Sequence, residues 1–170
     1  MSDHYTFSDA PEKWDTLYRL IGVIAHESSF AHWLVFEMFR IALKMDREEA
    51  SGLYYALRAD SGQRDLTVSV LEDRLAAPEY SELLARVKKT FTELGKASGR
   101  RNGFIHTPWA MRYSSLEFVA SHGAKLHPKL LPTDIIGQAE KLVKDLYAVS
   151  HDLMALCDEI EQLPLFQKSS

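Results

Sequence analysis

The stretch LYRLIGVIAHESSFAHWLVFEMFRIA, Leu17 to Ala42, decides the fold. Within it Leu17, Ile21, Ile24, Ser28, Ala31, Val35, Met38 and Ala42 recur at alternating steps of four and three. At about 3.6 residues per turn, that spacing returns each residue to one side of an α-helix and makes a continuous seam of about seven turns. Phe30, Trp33, Leu34, Phe36, Phe39 and Ile41 extend the apolar zone almost all round the second half. A helix apolar on most sides is either central in its bundle or covered by a second subunit, and a domain of this size offers little room for full enclosure. The expectation is a homodimer.

Working outward, Asp9 and Glu12 form a capping box ahead of this helix, with Pro11 in its first turn. Asp46, with Glu49, caps a short second helix to about Ala59 that turns Leu53, Tyr54 and Leu57 inward, and Asp60-Ser61-Gly62 breaks it. A third helix runs from about Gln63 to Leu75 on Leu66, Val70 and Leu71. Pro78 opens a fourth with the stripe Leu83, Leu84, Val87, Phe91, Leu94 and Ile105. After Pro108, Ser115 to Ala120 alternates with period two, Ser121-His122-Gly123-Ala124 supplies a turn and Lys125 to Leu131 returns. Thr133 caps a last helix whose core side runs from Ile135 to Ile160. The expected fold is all-α: a helical bundle with long first, fourth and last helices and a small β-hairpin insertion around 111–131. Residues 1–163 read as a single domain and 164–170 as a tail.

With 46% hydrophobic and 26% charged residues in 170, the chain fits one globular domain and not a disordered one. A net charge of −4 does not advertise a general nucleic-acid binder, but the charge is uneven. Between Arg86 and Arg112 stand seven basic residues and one acid, Glu93; between Asp134 and Glu161 seven acids face Lys141 and Lys144. Either the basic run receives a local anionic ligand, or the two segments neutralise each other. The lone Cys157 excludes an intrachain disulfide and a cysteine-built zinc site, and its apolar setting makes it a small buried hydrophobe. No apolar run reaches the roughly 18 residues of a spanning helix. Met1 to Ser8 carries no signal-peptide pattern, so the chain reads as cytoplasmic, with no membrane partner and no cofactor.

Chemistry converges in Arg100-Arg101-Asn102-Gly103-Phe104-Ile105-His106-Thr107-Pro108-Trp109. Pro108 disfavours helical geometry at Thr107, which puts His106 in a final helical turn. Asn102 and His106, four apart, share a face at about 40°; Arg101 lies well round from His106, yet an arginine's length and a loosened last turn can bring its guanidinium near the imidazole. Arginine binds phosphate bidentately and histidine moves protons near neutral pH, whereas polar residues at a helix end also serve to satisfy its last carbonyls. The run Arg101-Asn102-Gly103-Phe104-Ile105-His106 resembles the Arg-x4-His signature of the HEPN superfamily. The aromatic first helix, the Pro-Trp after the histidine, the hairpin and the capped last helix resemble small bacterial HEPN-like proteins. The resemblance implies a metal-independent endoribonuclease in which two protomers join their motifs and the ribose 2′-hydroxyl attacks the adjacent phosphate. Carried over, His106 transfers the proton, Arg101 stabilises the phosphate and Asn102 orients; Arg100 adds electrostatic help to phosphate binding. It also implies RNA or a nucleotide as ligand and, as in toxin–antitoxin pairs, a nucleotidyltransferase-type antitoxin partner. The alternative within the same fold is a non-catalytic dimeric module that binds a nucleotide or a partner.

Other patterns exclude themselves. His26 and His32 are six apart, about 240° round a helix, and cannot chelate one metal. The first and last helices lack the Glu-x-x-His of a di-iron bundle, and no phosphate-cradling glycine loop or Gly-x-Ser-x-Gly elbow occurs. His122 and His127 flank the expected hairpin turn and read as solvated.

Overall fold

The computed structural model describes residues 4–5, 11–112, 117–120, 125–131 and 133–167. The fold is all-α with a small β insertion. In chain order the elements are β1 (His4–Tyr5), α1 (Pro11–Leu43), α2 (Arg47–Tyr54), α3 (Asp60–Arg74), a 3-10 turn at Pro78–Tyr80, α4 (Ser81–His106), β2 (Trp109–Arg112), β3 (Phe118–Ala120) and α5 (Ile135–Gln162). The long first, fourth and last helices are present as the sequence predicts. Asp9, the expected cap of α1, lies outside the described residues.

The chain divides into two compact units, each with its own core. The first comprises residues 1–28 and 96–147. Its core joins Leu17 and Ile24 of α1, Phe104 of α4, Met111 and Phe118 of the sheet, and Leu142 and Leu146 of α5. Trp14 meets the Phe118 ring edge-on at 5.0 Å. The second unit comprises residues 29–95 and 148–170. Leu34, Phe36, Phe39 and Ile41 are all buried there within one chain. These four side chains are therefore covered without a second subunit, whereas Phe30 is half-buried and Trp33 is exposed. Phe166 is also buried in this core.

Helix ends show which local forces won. At the end of α1, Lys44 adopts a left-handed φ of 54°, its N–H donates to Ile41 O, and the Met45 N–H donates to Arg40 O. That is a Schellman arrangement, which answers the helix's last carbonyls. Asp46 caps α2 as expected, accepting from the Glu49 N–H at 2.9 Å. However, α2 ends at Tyr54 and not near Ala59, and Leu53 and Leu57 are exposed, not inward. The Tyr54 ring explains this: it enters the core against Phe36 and Phe39 at 5.3 and 5.4 Å, and one aromatic anchor suffices for so short a helix. Asp60-Ser61-Gly62 does not break the chain but forms the first turn of α3, where the Asp60 carboxylate complements the helix dipole. Ile105 is a further departure, exposed beside a buried Phe104.

The hairpin pairs differently from the sequence expectation. Trp109 lies opposite Ala120 and Met111 opposite Phe118, so the partner of the 118–120 strand precedes it. Lys125 to Leu131 forms a turn and no strand. The β2 strand buries the adjacent residues Ala110 and Met111, a pattern without period two that hides it in the sequence. Ser115, Leu116 and the expected turn at 121–124 lie outside the described residues. β1 adds a third antiparallel strand alongside β2. Asp134, not Thr133, caps α5: its carboxylate accepts from the Gly137 N–H at 3.0 Å, with the residue held at φ 51°.

Cys157 is buried, and its Sγ–H lies 3.5 Å from Leu34 O. Burial, reinforced by the nearby Asp158 and Glu37 carboxylates, pushes the thiol up to about 12. Among the described residues, no helix is long and apolar enough to cross a membrane.

Candidate functional site

The Arg–His segment occupies the C-terminal end of α4, which stays α-helical through His106. Two later side chains answer two of the carbonyls that the helix end leaves open. The Thr107 hydroxyl donates to Gly103 O at 2.6 Å and the Trp109 indole N–H donates to Phe104 O at 3.0 Å. These two carbonyls therefore do not need Asn102 or His106. Among the described residues neither side chain makes a hydrogen bond or ion pair, and His106 is exposed while Asn102 is half-buried. Regular helical geometry sets them about 40° apart on one face and sets Arg101 about 140° from His106. Arg101 is half-buried on that other flank.

Arg100 has a partner. Its guanidinium meets the Asp145 carboxylate of α5 at 2.8 Å, with the two side chains 28% and 39% exposed. In the second unit, Arg86 pairs with Glu159 at 2.8 Å. The basic and acidic runs thus neutralise one another at these two positions, and Arg100 is drawn away from the role the sequence assigns it.

Sequence reasoning missed a turn that lies on the same helix. A Cβ at Gly103 would stand 2.9 Å from Leu130 Cγ and 3.2 Å from His127 Cβ. At Gly99 it would stand 3.0 Å from Lys129 Cδ and 3.1 Å from Cε, with the ammonium closer still. The turn is fixed internally: the Leu130 N–H donates to His127 O at 2.9 Å and the Lys129 N–H donates to His127 Nδ1 at 3.3 Å. His127 is thus half-buried against α4, not solvated. Two glycines four apart on a helix, which clear a groove one backbone wide, were the available signal.

The histidines of α1 stand apart from this chemistry. His26 is exposed at 3.9 Å from Glu27, and His32 lies 3.4 Å from Asp60. Among the described residues no group of three or more His, Cys, Asp or Glu is placed to hold a metal ion. A cavity of about 430 Å³ in the first unit is lined by Glu12, Thr16, Glu117, Phe118, Asp134 and Ile135. None of its lining residues belongs to the Arg–His segment.

No protein-family model, no curated protein and no solved structure matches the chain.

Proposed function

We propose that the end of α4 is the phosphodiester site of a HEPN-like, metal-independent endoribonuclease that acts as a homodimer. The observation that supports it best is the pair Asn102 and His106: two polar side chains on one helix face, uncommitted among the described residues, at a helix end that other groups already cap. A neutral His106 takes the proton of the ribose 2′-hydroxyl. The 2′-oxygen bonds to phosphorus, the P–O5′ bond breaks, and the 5′-oxygen leaves with the proton that the His106 imidazolium gives back. The products are a 2′,3′-cyclic phosphate and a 5′-hydroxyl end. Asn102 orients the phosphate by hydrogen bonding, and Arg101 stabilises its developing charge from the flank. Exposed Ile105 and Leu131 put apolar surface beside this site, which favours a second copy there.

The test is cleavage of mixed RNA in chelator by wild type and by His106→Ala. Loss of a general acid–base group lowers the rate by about 10²–10⁴, and the products carry cyclic phosphate ends. Equal cleavage by both proteins would refute the proposal. A monomer at high micromolar concentration, read from solution mass, would remove the composite site. The loss of Arg86 and Arg100 to carboxylates favours a second reading, a non-catalytic module for a short nucleotide ligand. Under that reading the chain binds a nucleotide, and His106→Ala weakens binding with no cleavage to lose.

A further inference from the structure

Lys129 is 23 residues beyond His106 in the sequence, yet its side chain lies across Gly99 on α4. Gly99 falls about 20° from His106 and about 60° from Asn102 around a regular helix, whereas Arg101 falls about 140° from His106. Of these two cations, Lys129 is therefore the one on the face of Asn102 and His106. Among the described residues its ammonium makes no ion pair, and the turn that carries it is held by the two hydrogen bonds to His127.

The geometry points to Lys129 as a phosphate-binding residue for RNA that continues past the cleavage point. This rests on the reading of the α4 end as a phosphodiester site and deepens it. Gly99 and His106 are about 10 Å apart along the helix axis. The Lys129 ammonium lies against α4 about two turns before the backbone of His106, on the same face, and there it holds the phosphate next to the one that reacts. The substrate class is then an RNA strand with at least two successive phosphodiesters, laid along α4 from the His106 end towards Gly99. Gly99 has a part in this, because a Cβ there would stand 3.0 Å from Lys129 Cδ and 3.1 Å from Cε and would displace the flexible end of the lysine from its place on that face.

The experiment compares a dinucleotide, which has one phosphodiester, with a tetranucleotide, which has three, on the full chain and on Lys129→Ala and Gly99→Ala. Binding of a 2′-deoxy tetranucleotide, which cannot be cleaved this way, is measured beside it. Wild type is expected to prefer the tetranucleotide in kcat/KM, and both variants to lose about tenfold of that preference through KM and not kcat. The salt dependence of 2′-deoxy tetranucleotide binding should flatten by about 0.7 in log–log slope, the share of one phosphate contact on a single strand. Lys129→Arg should restore both. Unchanged tetranucleotide preference and unchanged binding in both variants would overturn the assignment of Lys129. An equal fall in kcat on both substrates would place the lysine at the reacting phosphate and overturn the flanking role. If wild type cleaves neither RNA but its 2′-deoxy tetranucleotide binding weakens in Lys129→Ala, the lysine site stands and the ribonuclease reading falls. If wild type neither cleaves nor binds, both are wrong.

Discussion

Gly103→Ala tests how tightly the 127–130 turn is seated on α4. The new methyl would stand 2.9 Å from Leu130 Cγ, 3.0 Å from its Cδ1 and 3.2 Å from His127 Cβ, all inside normal contact. Leu130 is 5% exposed and belongs to the core of its unit, so it has no free direction in which to yield. Overpacking of this kind costs about 1–3 kcal/mol, and lifting the leucine instead forfeits much of the roughly 1.5–3 kcal/mol of its burial. Against this, alanine is favoured over glycine in a helix interior by about 1 kcal/mol. The net expectation is a loss of about 0–2 kcal/mol, centred near 1, or about 2–4 °C in Tm. Gly99→Ala is the internal control, because its methyl meets only the flexible end of Lys129. It should leave stability unchanged or raise it by up to about 1 kcal/mol. Thermal and urea unfolding followed by circular dichroism measure both. If the two variants shifted together in the same direction, the seating of Leu130 on Gly103 would be refuted.

Three further outcomes follow from local geometry. Lys44→Gly should gain about 0.5–1 kcal/mol, because a left-handed residue in a Schellman end prefers to lack a Cβ; a lower Tm would contradict the φ of 54°. At Asp134, the alanine variant should lose about 1 kcal/mol of capping and keep the unfavourable φ, while asparagine should hold stability near wild type, as read by Tm. Burial raises the Cys157 thiol from its ordinary 9.0 to about 12, so the folded state holds this proton more tightly than the unfolded one. The stability it contributes is complete below 9.0 and is lost as the pH rises through about 12. Urea unfolding at about pH 8 and about pH 10 should show a steeper alkaline loss in wild type than in Cys157→Ala, and thiol reagents should reach Cys157 only after unfolding.

The long helices were legible because their periodicity is sustained: from Leu17 to Ala42 every seam position but Ile21 is buried, and from Ile135 to Ile160 the same rule holds with Ile136 and Val143 half-buried. Where one residue outweighs a pattern, reading failed. Tyr54 is the one large side chain that α2 buries, beside Ala50, and a capping carboxylate one position later displaces Thr133. The short β2 strand was hidden because it buries two adjacent residues. In the site, the common face of Asn102 and His106 follows from spacing alone. The pairing of Arg100 with Asp145 does not, because it depends on which α5 carboxylate comes opposite. Lys129 was invisible for a related reason: the turn that carries it returns to α4 through packing on Gly103, a long-range contact with no periodic trace.

Neither unit is a continuous piece of chain: residues 1–28 are completed by 96–147, and 29–95 by 148–170. During synthesis, then, the apolar seam of α1 leaves the ribosome long before residue 96 can cover its first half or residue 148 its second. At about 5–20 residues per second that interval is on the order of ten seconds. Through that time the parts of the α1 seam that await residues 96–147 and 148–170 stand open to the cell, which makes the nascent chain a client for chaperones that hold exposed apolar helices.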